Sequence, residues 1–341
     1  MTRPAPGRGP VDAVVAVSYG CNLRCVTCDL PTRAGDARLT PALAARLPRT
    51  LRYVNVTGGE PFLVDDIAAI VRAITGAAPR ATITISTNGS LPARAAAVVR
   101  ELLPAVPGLH VAVSVDGLEA AHDGVRQVPG SFRRAVETVD LLAPLLGRNV
   151  HVAFTLSRPN LGDFDGVAAF ASERGLPLSL AFTHSSAHYF HPQADAVPAG
   201  GAAVAALSQA VRFYLRELSP GAAARAYFAA GLACVLKGKA RPLPCRAGDR
   251  FFYVDPAADV YLCNMRPEVI GNLARATFDE LWAGEARRRL LPTTGRACPV
   301  QCWMVCTART AIRDHPARVA WWAARAYAAA ALGRPLPRNC G

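Results

Sequence analysis

Short runs of β-branched and other apolar residues alternate, along the first half of the chain, with longer stretches in which Ala, Leu and Arg recur at helical spacing. Side chains repeat every two residues on a strand and every 3.6 on a helix, so this alternation predicts repeated βα units and a parallel sheet. Strands are expected at 13–17, 53–56, 82–86, 111–115, 151–156 and 178–182, and helices beginning near Pro41, Asp65, Ala93, Ser131 and Asp165. Six such units predict an α/β fold, a partial (β/α)6 TIM-like barrel. Its functional groups belong just after the C-terminal ends of the strands.

Beyond the sixth strand the pattern changes. Residues 182–198, rich in His, Ser and Pro, predict a long loop, and 202–238 predict one or two Ala-rich helices. After Pro242 come short aromatic strands at 251–254 and 260–262, then a group of cysteines, then an Arg/Ala/Trp helix over 318–332. The expected organisation is a tail (1–10), the barrel (11–198), a helical connector (199–240), a small C-terminal domain (241–312) and a closing helix with its tail (313–341).

Composition narrows the class. The chain is 51% hydrophobic and only 18% charged, as in a globular protein. It has no run of about 18 uncharged apolar residues and no N-terminal h-region, so no membrane association and a cytoplasmic location are expected. The net charge of +13 comes almost wholly from arginine, with Lys237 and Lys239 the two lysines. No basic run is interleaved with aromatics, so the charge points to composition bias and anionic ligands rather than to nucleic acid. Ten cysteines in a reducing compartment point to metal or cluster ligation and away from disulfides. Cys21, Cys25 and Cys28 form one group; Cys245, Cys263, Cys298, Cys302 and Cys306 form a second; Cys234 and Cys340 belong to neither.

Cys21-x3-Cys25-x2-Cys28 follows the first strand. Three soft thiolates can supply three corners of a 4Fe-4S cluster and leave one iron open to chelate a small molecule. Gly20 lets the backbone turn tightly beside it. A zinc site or buried free thiols are the plainer alternatives, although zinc normally takes a fourth protein ligand and none lies nearby in sequence. Thr57-Gly58-Gly59-Glu60-Pro61 follows the second strand, where glycines permit close backbone approach and a carboxylate suits an ammonium. Ser86-Thr87-Asn88-Gly89 ends the third strand and Ser114-Val115-Asp116-Gly117 the fourth. Each alone is an ordinary cap or turn.

In this order on successive strands, these motifs resemble those of the radical S-adenosylmethionine (SAM) superfamily over residues 11 to about 182. The resemblance implies that Cys21, Cys25 and Cys28 hold the catalytic cluster. It also implies that Gly58, Gly59 and Glu60 hold the SAM amino group and that Ser114 and Asp116 face its ribose and carboxylate. Asn88 would line the same pocket. His122-Asp123-Gly124-Val125-Arg126 looks like the family's loop into the fourth helix, with Arg126 on a carboxylate. Thr27 departs from the pattern, which usually has an aromatic there beside the adenine.

The second cysteine group runs from Cys245-Arg-Ala-Gly through Val260-Tyr-Leu-Cys263 and Phe278-Asp-Glu-Leu-Trp282 to Cys298-x3-Cys302-x3-Cys306. Its order resembles the SPASM and twitch extensions of these enzymes, with Ala258 where a glycine is common. Five grouped cysteines fit the one-cluster twitch type, with Cys245, Cys263, Cys298 and Cys302 as ligands and Cys306 able to replace one of the last two. A structural zinc site is the alternative.

The implied activity is reductive cleavage of SAM to a 5'-deoxyadenosyl radical that takes a hydrogen atom from substrate. An electron donor such as flavodoxin or ferredoxin would serve it. Ten residues before Val11 leave no room for a peptide-recognition or cobalamin domain, so oxidation or tailoring of a small sugar- or aminocyclitol-like molecule is the first expectation. Oxidation or crosslinking of a ribosomally made peptide is the second. A non-catalytic metal or cluster protein that binds nucleic acid is a third, of another class. His184, His188, Tyr189 and His191 are candidates for substrate contact or proton transfer at the mouth.

Overall fold

The computed structural model describes residues 9–33, 35–186, 189–191 and 194–340. Six parallel strands build the first half: β1 (Asp12–Ala16), β2 (Tyr53–Thr57), β3 (Thr82–Thr87), β4 (His110–Ser114), β5 (Val150–Leu156) and β6 (Leu178–Phe182), each paired with its sequence neighbour. Between them run α1 (Pro41–Ala44), α2 (Ile67–Ala77), α3 (Pro92–Leu102), α4 (Glu119–Arg126), α5 (Ser131–Leu146) and α6 (Phe164–Glu173). The expected strands are therefore present, each shifted by no more than a residue at either end. Helix α4 replaces the loop expected at 122–126. Its polar sequence hides it, and Asp123 accepts hydrogen bonds from the Gly130 and Phe132 amides and the Ser131 hydroxyl, tying α4 to the start of α5.

Alternation along the strands decides what they enclose. Val54 and Val56, Ile83 and Ile85, Val111 and Val113, and Val150, Val152 and Phe154 are wholly buried under the helices. The opposite positions are small or polar: Asn55, Ser86, Ala112, Ser114, His151, Ala153 and Thr155 all line one cavity of about 630 Å³. A barrel packed with Val, Ile and Leu on both faces would have no such lumen. This chain's strands reserve their bulk for the outer face.

Helices α7 (Gly200–Tyr214) and α8 (Pro220–Leu236) follow the sixth strand. The next strand, β7 (Phe251–Val254), pairs in parallel with the free edge of β1, and β8 (Asp259–Tyr261) and β9 (Val269–Asn272) continue antiparallel in the order β6-β5-β4-β3-β2-β1-β7-β8-β9. The C-terminal segment thus extends the barrel's own sheet. Strand β9 and helices α9 (Phe278–Ala283), α10 (Glu285–Leu290) and α11 (Val305–Asp314) fall outside the sequence expectation, whereas α12 (Pro316–Ala331) matches it. Asp12, wholly buried at the start of β1, lies 3.5 Å from both Arg309 and Arg313 and accepts from the Thr310 hydroxyl, which locks α11 to the barrel.

Two further departures carry chemistry. Cys234 on α8 and Cys340 in the C-terminal tail form a disulfide, against the expectation that no cysteine would pair. Ala258 has φ +66°, a left-handed conformation that explains why a glycine suits the position. Among the described residues no helix is long and apolar enough to cross a membrane.

Candidate active site

The loop carrying Cys21, Cys25 and Cys28 sits at the C-terminal end of β1 and is fastened from the ends of β2 and β3 and from α4. From β2, the Gly59 amide donates to Ser18 O at 2.7 Å and the Glu60 amide to Gly20 O at 2.9 Å. This approach is so close that a Cβ on Gly58 or Gly59 would stand 2.1 Å from the carbonyl oxygen of Ser18 or Gly20. The two glycines therefore serve the loop that precedes Cys21, besides lining the cavity. From β3, Asn88 Nδ2 donates to Asn22 Oδ1 at 3.0 Å and reaches Cys21 Sγ at 3.6 Å. From α4, the Val125 and Arg126 carbonyls accept from the Val26 and Arg24 amides, and Arg126 Nη1 reaches Cys25 Sγ at 3.6 Å.

Glu60 is held by the chain itself. It is 1% exposed, and its Oε1 accepts from the Phe62 amide and the Thr87 hydroxyl while Oε2 accepts from the Asn88 amide at 2.7 Å. Burial pushes this carboxyl up, and those donors oppose the shift. With both oxygens engaged by the chain itself, Glu60 fixes the ends of β2 and β3 instead of facing the lumen. Asp116 is held likewise. It is fully buried, 2.7 Å from Arg126 Nη2, and its Oδ1 accepts from the Thr155 amide. Burial disfavours its charge and the guanidinium counters that; Arg126 is held charged by Asp116 and by the neighbouring thiols. Ser114, Asn88 and Arg126 do line the cavity, together with Thr27 and all three cysteines.

His122, on the same helix, accepts from the Asp116 amide at 3.1 Å; burial and then Arg126 push its imidazole down to about 3, so it stays neutral and structural. The donor set fits an iron-sulfur cluster. Three thiols face one chamber beside two N–H donors aimed at sulfur, with a cationic guanidinium to offset thiolate charge. Burial pushes Cys28 up to about 12, so loading a cluster there must release a proton.

The second group assembles around Cys263, which follows β8. Its neighbours in charge are Cys302, Cys245 and Cys298, and burial pushes both Cys263 and Cys302 up, the latter to about 11. Those four are the expected ligand set, and they could hold one cluster. Cys306 stands apart on α11. It lines the main cavity, and its charged neighbours are Arg309 and Asp12. An apolar cluster containing Tyr189 and Tyr253, with Tyr19 and Cys28 packed against it, joins the two cysteine groups.

His184, half-buried, lines the cavity, and its desolvation pushes the imidazole down to about 4. Tyr189 is 2% exposed and also lines it, whereas His191 is exposed and paired with Arg33 and Asp29. His188 lies outside the described residues. Sequence reasoning missed Thr183 and Asn264, both buried, both lining the cavity, each with a side-chain oxygen that has no partner. No motif marks them.

A family model of the radical SAM superfamily matches residues 15–171, and a model of an iron-sulfur cluster-binding domain, SPASM, matches 245–307. The chain belongs to the radical SAM superfamily, as an enzyme that uses a 4Fe-4S cluster with SAM and carries a C-terminal auxiliary cluster domain. Among curated relatives, mycofactocin maturase MftC of Mycobacterium ulcerans (strain Agy99) is 29% identical over 85% of this chain and 79% of its own length. Among solved structures, native anSMEcpe with bound AdoMet and Cp18Cys peptide superposes with a TM-score of 0.64 at 16% identity, over 92% of this chain and 99% of that one. Streptococcus suis SuiB bound to precursor peptide SuiA gives 0.59 at 15% identity, over 82% and 65%. At these identities the two structures speak for the fold.

Proposed function

We propose that the chain is a radical SAM maturase that oxidises or crosslinks a ribosomally made peptide. The observation that carries this reading is the likeness to mycofactocin maturase, which covers 85% of the chain. It favours the peptide reading over the small-molecule expectation, and two fold neighbours named above hold a peptide or a precursor peptide. When bound, the catalytic cluster and SAM supply a 5'-deoxyadenosyl radical.

Cys21, Cys25 and Cys28 would hold that cluster, and Asn88 and Arg126 would orient its thiolates. Gly58, Gly59 and Ser114 would shape the SAM side of the chamber, and Glu60 and Asp116 would position them from behind. Cys245, Cys263, Cys298 and Cys302 would hold the auxiliary cluster. The outer Val and Ile layer keeps water from the lumen, as a reactive radical requires. A flavodoxin- or ferredoxin-type protein would donate the electron.

The test is anaerobic: reconstituted enzyme, SAM, dithionite and the short peptide encoded beside its gene. A peptide mass change matched to 5'-deoxyadenosine formation supports the reading. Deoxyadenosine without any change in the peptide refutes the peptide assignment while leaving the enzyme class intact.

A further inference from the structure

The lumen is electrically one-sided. Among the described residues that line it are Arg126, Arg148, Arg225 and Arg309 and three histidines, and no Asp or Glu. Two of the arginines already have carboxylates behind them, Arg126 on Asp116 at 2.7 Å and Arg309 on Asp12 at 3.5 Å. The other two are poorly matched. Arg225 on α8 meets Glu217 only at 3.8 Å, and its buried Nε has no partner. Arg148 donates to the Gly175 carbonyl at 3.1 Å and has no ion pair among the described residues.

These two lie at the floor of the chamber. His110 begins β4, His151 is the second residue of β5, and Arg148 precedes β5, whereas the cysteine loop stands at the other ends of the strands. From His110 to Ser114 a strand rises about 13 Å. His110 and His151 face each other with ring centroids 6.4 Å apart, and the ring nitrogens of His151 make no hydrogen bond among the described residues. The floor therefore presents unpaired donors and positive charge with no anion of the chain's own.

We infer that the floor, built from Arg148, Arg225, His110 and His151, is a subsite for a carboxylate of the substrate, which anchors it at the end of the lumen opposite the cluster. The inference rests on the lumen being the substrate chamber and adds which chemical group is held. Burial, with His110 and Arg225 beside it, keeps His151 uncharged at about 4, so it offers one N–H to an incoming oxygen. Guanidinium groups suit a carboxylate's two oxygens. In a peptide the group is either the chain terminus or an acidic side chain.

The experiment uses cluster-loaded, SAM-saturated enzyme, so that SAM itself occupies the site beside Arg126. Binding of three probes is measured by calorimetry: N-acetylphenylalanine, N-acetylphenylalaninamide, and N-acetylglutamic acid α-amide. At least one acid should bind ten times more tightly than the neutral amide. The preference should fall to twofold or less in Arg225→Gln and in the exposed Arg148→Gln, both retaining cluster absorbance and substrate-free deoxyadenosine formation. Preference for the first acid assigns a chain terminus, and preference for the third a side chain. Equal binding of all three probes, or a preference that survives both substitutions, overturns the inference. Neither result depends on finding the natural peptide, so failure of the maturase reading is separately visible.

Discussion

The two cysteine groups solve the same chemical problem in opposite ways. Cys21, Cys25 and Cys28 lie within eight residues on one loop, and other strands come to them with N–H donors and backbone carbonyls. Cys245, Cys263, Cys298 and Cys302 come from three stretches spread over 58 residues, brought together by the β7–β9 strands and the turns around them. A short loop leaves its cluster open to the lumen. The second group is more deeply set: Cys263 and Cys302 are buried, while Cys245 and Cys298 keep partial exposure.

That contrast can be broken most sharply by one cysteine from each side. Cys25→Ala should reduce 5'-deoxyadenosine formation to background and lower iron from about eight to about four per chain. Cys263→Ala should cost the same four irons and stop peptide turnover, yet leave substrate-free SAM cleavage within a few-fold of the parent. Anaerobic iron counts beside product chromatography check both, and equal loss of SAM cleavage in the two variants would erase the distinction. Cys306→Ala should leave the iron count unchanged, since Cys306 faces the lumen and not the other four.

A smaller effect sharpens the role of the donors. Asn88→Ala removes the N–H directed at Cys21 sulfur, which favours the more negative reduced cluster; its potential should fall by on the order of tens of mV. Redox titration followed by electron paramagnetic resonance reads the shift, and an unchanged potential would reduce Asn88 to a loop fastener. The smallest expected effect lies beside the second group. Ala258 in a left-handed conformation costs about 1–2 kcal/mol, and glycine's greater unfolded freedom returns about 0.5–1 kcal/mol of that. Ala258→Gly should therefore raise stability by up to about 1 kcal/mol, read as a rise of a few degrees or less in Tm.

The barrel was legible because its strands advertise themselves twice, through β-branched runs and through the turn residues after them. The cysteine triad was legible because a loop keeps its ligands adjacent in sequence. The motifs located Glu60 and Asp116 at the strand ends, but not that both carboxylates are buried and take donors from neighbouring loops, because a motif states which residue follows a strand and not which way it points. Helix α4 escaped because its buried face carries His122 and Arg126 beside Val125, so a count of apolar residues passes over it. The Cys234–Cys340 bond joins residues 106 positions apart, and no local pattern encodes such a meeting. The polar lumen was present in the alternation all along, as the side of each strand that the hydrophobic count passes over.

The pairing of β1 with β7 reaches into how the molecule is made. Asp12 registers with Phe251, so one edge of the first strand leaves the ribosome about 240 residues ahead of its partner. At roughly 5–20 residues per second that interval lasts on the order of ten to fifty seconds, during which the edge is bare. The nascent chain must shield a strand ready to pair with any other until β7 arrives.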